Sequence, residues 1–197
     1  MLAWYAPDAC VGGFGLADRV VEYCGFAPGD HLADIGCGNC ETANRLAARY
    51  GLYVSCVDAF PRVAPEISDD KVRFFKAEAE YLPFADSTFD GVMFECSVSL
   101  TGDLGATFRE ARRVLSPGGY LAVSDFESNE WLDAISAAGF GMESVHDCTS
   151  AVLEFWGQII LDYGLEEASR RVGFDAKTRP HGQPRYLLAV ARRGGPF

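Results

Sequence analysis

His31-Leu-Ala-Asp-Ile-Gly-Cys-Gly-Asn-Cys-Glu-Thr42 is the stretch that decides how this chain folds. A short apolar run ends at Asp34, glycines follow at Gly36 and Gly38, and a helix-forming segment begins at Thr42 and reaches Tyr50. That order is a strand, a tight turn and a helix N-terminus. Gly36 and Gly38 carry no Cβ, so the turn can take strained backbone angles and a ligand can approach the main chain closely. Twenty residues beyond Gly38, the run that starts at Leu52 ends in Asp58. An acid at that distance, at the end of the next strand, is placed to hydrogen-bond a ribose diol. The chain therefore reads as a binder of a nucleoside-like ligand.

The loop also says which kind of nucleoside. A dinucleotide site wants Gly-x-Gly-x-x-Gly with the pyrophosphate on the helix N-terminus. The third glycine position is occupied by Glu41. A carboxylate in the first turn suits the helix dipole but repels a pyrophosphate. Asp34 adds a second acid at the strand end. Two acids around one glycine loop fit a ligand with positive charge and no phosphate, and S-adenosylmethionine has an adenosine, an ammonium and a sulfonium.

Asp34-Ile-Gly-Cys-Gly38 resembles the first motif of the class I, Rossmann-like S-adenosylmethionine-dependent methyltransferases, in particular those of methyltransferase type 11. Asp58 matches that family's ribose-binding acid. The blocks Ala77-Glu-Ala-Glu-Tyr-Leu-Pro-Phe84, Phe89-Asp-Gly-Val-Met-Phe-Glu95 and Glu110-Ala-Arg-Arg-Val-Leu-Ser-Pro-Gly-Gly-Tyr-Leu121 follow in the family's order. The match covers roughly residues 11 to 147. Cys40 is a departure, since the family often has a further glycine there. The resemblance implies a seven-stranded mixed sheet of order 3-2-1-4-5-7-6 whose last strand is antiparallel. It also implies S-adenosyl-L-methionine as cofactor, held by Asp34, Gly36, Cys37, Gly38, Asp58, Ala59, Glu78, Ala79 and Glu95.

Outward from the glycine loop, strands and helices alternate, which argues for an α/β domain with a largely parallel sheet. The expected helices are Leu16 to Tyr23, Thr42 to Tyr50, a short one from Pro61 to Ile67, one capped by Asp103, Asn129 to Ala138, and one capped by Ser150 and closed by Gly164. The expected strands include Val72 to Phe75, Gly91 to Phe94, Tyr120 to Asp125, Met142 to His146 and a final one, Tyr186 to Ala191. Ser116-Pro-Gly-Gly119 reads as the stop between a helix and the fifth strand. At 197 residues, 49% hydrophobic and 13% aromatic, the chain suits a single domain with a proper core. Residues 1–25, with Trp4 and Tyr5, read either as a hydrophobic plug or as an N-terminal lid. Residues 148–184 form an inserted helix and loop, a candidate substrate cap.

The formal charge of −11 disfavours nucleic acid and anionic membranes, and no apolar run is long enough to span a bilayer. The first residues contain no basic region of the secretory kind. Seven scattered cysteines fit free thiols in a reducing cytoplasm. Cys37-Gly-Asn-Cys40 has C-x-x-C spacing, yet it lies inside the glycine loop, where packing or pocket lining suits it better than redox work. A zinc site would need four ligands, and Cys56, Cys96 or Cys148 could join this pair only through the fold, so no metal is expected.

Methyl transfer is an in-line displacement that rests on positioning, so few catalytic groups are required. Candidates near the strand ends are Glu95, Ser97 and His146, with Ser99 and Asp125 beside them. Glu95 reads equally as a cofactor-holding group, and His146 as a structural histidine. The expected activity is methyl transfer to a small-molecule acceptor whose reacting atom is left open. A noncatalytic S-adenosylmethionine sensor and an NAD-dependent oxidoreductase are the alternatives. A cluster of Arg170, Arg171, Lys177, Arg179 and Arg185 reads as a solvated loop or as a holder of an anionic group on the substrate.

Overall fold

In the computed structural model, residues 14–61, 64–164, 166 and 185–194 are described. Trp4, Tyr5, Arg170, Arg171, Lys177 and Arg179 lie outside them. Seven strands form one sheet: β1 (His31–Ile35), β2 (Tyr53–Val57), β3 (Val72–Phe75), β4 (Phe89–Glu95), β5 (Leu115–Phe126), β6 (Phe140–Asp147) and β7 (Tyr186–Arg193). Their order is β3-β2-β1-β4-β5-β7-β6. The first five are parallel, and β7 runs antiparallel between β5 and β6. The order expected from the family resemblance is the order observed.

The inner strands are buried on both faces, and the period of two along them sorts the side chains. Leu32, Met93, Ala122 and Leu188 point into a core closed by α1 (Phe14–Cys24), α2 (Glu41–Tyr50) and α5 (Thr149–Tyr163). Ala33, Val92, Leu121 and Leu187 point into the other, closed by α3 (Leu104–Val114) and α4 (Asn129–Ala137). The result is a three-layer sandwich. Within it α1, from the segment read as a lid, buries Leu16, Ala17, Val20 and Val21 and belongs to the core.

The helix ends follow their chemistry. Gly25, at φ 67°, closes α1 with its N–H on the Val21 carbonyl. Asp103 caps α3 by accepting from the Ala106 N–H at 2.9 Å. Three expectations are corrected. The described residues of Pro61 to Ile67 form no helix. Pro65 has no N–H to give a helical turn, and the segment is pinned instead to α2 and the loop before it: Glu66 N–H donates to the Asn39 carbonyl, and Ser68 N–H to Asn44 Oδ1. Ser150 lies inside α5, whose cap is Cys148; Asp147 Oδ1 accepts from the Thr149 N–H and ends the strand there. Ser116 to Gly119 does not separate α3 from the fifth strand. It is a bulge within β5, where the register jumps from Phe89↔Leu115 to Gly91↔Tyr120. Gly118, at φ 81°, makes the bend.

Candidate functional site

The parallel strands β1, β2 and β4 all point their carboxyl ends to one edge; the chain runs from β1 to β2 and β3 on one side and crosses back from β3 to β4 on the other. That is the switch point at which open α/β sheets bind ligands. A cavity of about 680 Å³ lies there, of the size that holds a small ligand. Its wall contains Asp34, Gly36, Cys37, Gly38, Asp58, Ala59, Glu78, Ala79 and Glu95. All nine residues expected to hold a cofactor thus face one space.

The floor is the β1–α2 loop. Gly36 N–H and Cys37 N–H both donate to the Val57 carbonyl, at 2.7 and 3.2 Å, which ties the loop to the end of β2. Gly36 sits at φ 79°, and a Cβ there would come within 2.3 Å of Ser97 Cβ. Gly38, at φ 56°, has nothing within 4 Å of where its Cβ would be. Gly36 is required by close packing; Gly38 leaves its main chain open toward the cavity. Cys40 is left-handed too, at φ 67°, which explains why a glycine suits that position in the resembling family.

The acids divide by environment. Asp58 is partly exposed; its Oδ2 accepts from the Gly38 N–H at 3.0 Å and its Oδ1 from the Phe60 N–H at 2.8 Å. Each oxygen keeps a second lone pair for a ligand hydroxyl. Asp34 is buried, and its carboxyl is pushed up to about 7 by burial, then by the charges of Cys40 and Asp58. Glu95 is pushed up to about 8 by burial first and by Asp34 second, while Thr42 Oγ1 donates to its Oε2 at 3.3 Å. Asp34 Oδ2 and Glu95 Oε1 are shut off from solvent and have no hydrogen-bond partner among the described residues. A buried carboxylate oxygen without a partner is costly. Two of them on one cavity wall mark the place of a cationic, hydrogen-bond-donating group. Such an acceptor set, above a glycine cradle and beside Asp58, fits S-adenosylmethionine.

The catalytic candidates separate. Glu95, Ser97 and Ser99 line the cavity. Ser97 Oγ donates to the Ile35 carbonyl at 2.6 Å and so holds the end of β1. Asp125 is fully buried and structural: Oδ2 accepts from the Ser99 N–H and Oδ1 from the Phe126 N–H. His146 is not at the site. It lies on the edge strand β6, stacked on Tyr23 at 4.3 Å with Nε2 at 2.9 Å from Ser144 Oγ. The order β5-β7-β6 carries it away from the switch point. Arg185 pairs with Glu127.

Several wall residues escaped the sequence reading. Phe60, two positions beyond Asp58, is four-fifths exposed at the mouth, and Leu100 is nearly as exposed on the 3₁₀ turn Val98–Leu100. Phe126, at the end of β5, joins the wall and packs edge-on against Trp156 of α5, ring centroids 6.2 Å apart. Only Phe60 had a usable signal, an aromatic just past a strand-ending acid. The others depend on which strand ends converge.

The fold also completes a thiol cluster. The register Asp34↔Cys56 sets Cys56 beside the loop that carries Cys37 and Cys40, and the three Sγ atoms lie within 4.8 Å of one another. Where the sequence shows only a pair, the sheet adds a third. The hydrogen bonds among them pull Cys40 down from the ordinary thiol range and push Cys37 up.

Comparison with known proteins adds the following. The sequence pattern of the family described as methyltransferase domain matches residues 33–123. The 27-O-demethylrifamycin SV methyltransferase of Amycolatopsis mediterranei (strain S699) is 38% identical over 119 residues, 56% of this chain and 44% of that protein. This chain spans about half the length of the curated relatives it matches. Among solved structures, geranyl diphosphate C-methyltransferase from Streptomyces coelicolor A3(2), with Mg²⁺, geranyl diphosphate and S-adenosyl-L-homocysteine, aligns at a TM-score of 0.73 and 20% identity. That alignment covers 90% of this chain and 78% of the other. The [4+2]-cyclase SpnF aligns at 0.71 and 22% identity over 92% of this chain and 80% of its own. A cyclase and a methyltransferase at equal distance show that the shared fold leaves the reaction open.

Proposed function

We propose, from the sheet order and from the match of residues 33–123 to the methyltransferase-domain pattern, that this chain is a class I S-adenosylmethionine-dependent methyltransferase that binds S-adenosylmethionine and methylates a small molecule. The observation that carries this reading is the pair of unpartnered buried oxygens, Asp34 Oδ2 and Glu95 Oε1, beside the Gly36–Gly38 cradle. They accept from and balance a cation that has no phosphate. Asp58 takes the ribose hydroxyls on its free lone pairs. Glu78 and Ala79 line the adenine end, with Phe60 offering an apolar face at the mouth.

When bound, the cofactor supplies an electrophilic methyl group on a sulfonium centre. The chain's own residues then position and exclude water. Ser97 locks the β1 end, the Ser99 N–H bond to Asp125 fixes the turn that follows β4, and Glu80 Oε1 accepts from the Gly102 and Asp103 N–H groups to close the rim. No side chain need exchange a proton for an acceptor that is already nucleophilic; for a hydroxyl acceptor, Glu95 is one of two cavity-lining carboxyls, with Asp34, whose proton affinity burial raises toward neutral pH. Leu100 and Phe126 give the acceptor side an apolar character. Trp156, behind Phe126, is the described part of the proposed substrate cap; most of residues 165–184 lie outside the described residues. The acidic charge supports a small metabolite over nucleic acid as partner. The six described cysteines are all unpaired, which supports a cytoplasmic setting. No helix among the described residues is long and apolar enough to cross a membrane.

The test is turnover of S-adenosylmethionine carrying a labelled methyl group against a library of small-molecule acceptors. Label transfer to one acceptor class, weakened in Asp58→Ala through a higher cofactor requirement, is the expected result. Tight cofactor binding with no transfer to any acceptor class would make the chain a sensor.

A further inference from the structure

We propose that Cys37, Cys40 and Cys56 form a three-thiolate site for a soft divalent cation, built into the wall behind the glycine loop. Three observations carry it. The first is ligand placement: Cys37 Sγ and Cys40 Sγ are 3.8 Å apart, and all three sulfurs fall within 4.8 Å of one another. Metal–sulfur bonds of about 2.3 Å place the three sulfurs of one ion about 3.8 Å apart in tetrahedral geometry and about 4 Å apart in a trigonal plane. Cys37 and Cys40 are already at that spacing, Cys56 lies within 4.8 Å of both, and no disulfide joins the three.

The second observation is rigidity. Cys56 is in the middle of the sheet, paired with Asp34 across β1–β2. Cys37 N–H is tied to Val57, and Cys40 N–H donates to the Cys37 carbonyl at 3.0 Å, which closes a turn between the two loop cysteines. That turn holds Cys40 at φ 67°, a region a non-glycine residue seldom occupies, and in that conformation Cys40 faces its partners. The third is access. Cys40 and Cys56 are fully buried, while Cys37 is half-buried and lines the cavity, so an ion enters past Cys37.

The donor set names the class of ion. Thiolates select soft cations, and the trio supplies none of the oxygen ligands that Mg²⁺ or Ca²⁺ need. Binding balances as one M²⁺ plus three thiols giving M(SR)₃⁻ and three released protons, or two where Cys40 is already ionised. Cys37 is shared with the cofactor reading, but none of the tests uses the cofactor, so the two can fail separately.

The probe is Cd²⁺, titrated into the whole, fully reduced chain while thiolate-to-metal charge-transfer absorbance and proton release are followed. One tight equivalent with the absorbance band and release of two to three protons per ion is the expected result. Cys56→Ala should weaken that equivalent at least tenfold, and Cys24→Ala, which removes a buried cysteine of α1 outside the trio, should leave it unchanged. Alkylation mapping of the wild type needs no variant and so decides the matter even where a substitution unfolds the chain. Cd²⁺ should slow alkylation of Cys37, the half-buried member of the trio, relative to the metal-free chain. No band in the wild type, an unchanged affinity in a folded Cys56→Ala, or Cys37 as reactive with Cd²⁺ as without it would overturn the proposal.

Discussion

Gly36 shows how a single missing Cβ decides the site. Its positive φ and the 2.3 Å approach to Ser97 Cβ make Gly36→Ala a double fault, strain plus overlap. Together these should cost about 2–4 kcal/mol, measured by denaturant unfolding. Gly36→Ala with Ser97→Gly should recover part of that, since the overlap goes and the strain stays. The acids make the second prediction. Asp34 and Glu95 titrate near 7 and 8 in the fold, whereas free carboxyls titrate at about 4. Between those limits the folded chain holds protons that the unfolded chain has released. Stability without ligand therefore falls as pH rises from about 5 to 8, because the unfolded state binds fewer protons there. Binding of a cation runs the other way: it needs the ionised acids, so cofactor affinity should climb from pH 6 and level off above 8. Calorimetry across that range checks the sign, and Glu95→Gln should both weaken binding and remove the upper part of the rise. These residues were legible because glycine, aspartate and their spacing state backbone and charge requirements locally. Cys56 was not, since nothing in its own neighbourhood says that β2 lies beside the Cys37–Cys40 turn.

Elements were legible where one physical signal ruled. β3 and the Asp103-capped α3 stand where their alternation and cap place them. Asp103→Ala should cost about 1 kcal/mol in thermal or denaturant unfolding, the usual worth of an N-cap. Misreadings came where local and tertiary signals compete. Pro65 and the ties to Asn39 and Asn44 hold residues 64–68 as a strap along α2, against a weak helical pattern. Ser116-Pro-Gly-Gly119 has turn composition, yet the sheet continues through it by a bulge, which only strand pairing reveals. α5 shows the same competition, because it fills the core with Val152 and Ile159 while Trp156 reaches Phe126 at the cavity wall. Replacing Leu165 to Gln183 by a Gly/Ser linker leaves that helix in place. The cap reading predicts unchanged cofactor affinity with turnover reduced at least tenfold; equal turnover would make the segment a connector.

At the scale of the molecule, one topological fact assembles the site. The strand order β2-β1-β4 sets the ends of three strands side by side, so Asp58, Asp34 and Glu95, far apart in the chain, share one cavity. The family resemblance predicts that order, and from it every expected cofactor residue falls on the wall. His146 fell outside because the same order exiles β6 to the edge. The residues facing the acceptor come from several strand ends and a short turn, so they carry no shared sequence period, and the acceptor was correspondingly illegible. The central claim is that the cavity selects a cationic nucleoside without phosphate. Titration calorimetry at pH 8 with S-adenosylmethionine and NADH, on the wild type and Asp58→Ala, tests it most directly. The account predicts one equivalent of S-adenosylmethionine, no comparable binding of NADH, and an affinity reduced by about 1–3 kcal/mol in Asp58→Ala. NADH bound more tightly than S-adenosylmethionine, or an affinity indifferent to Asp58, would contradict it.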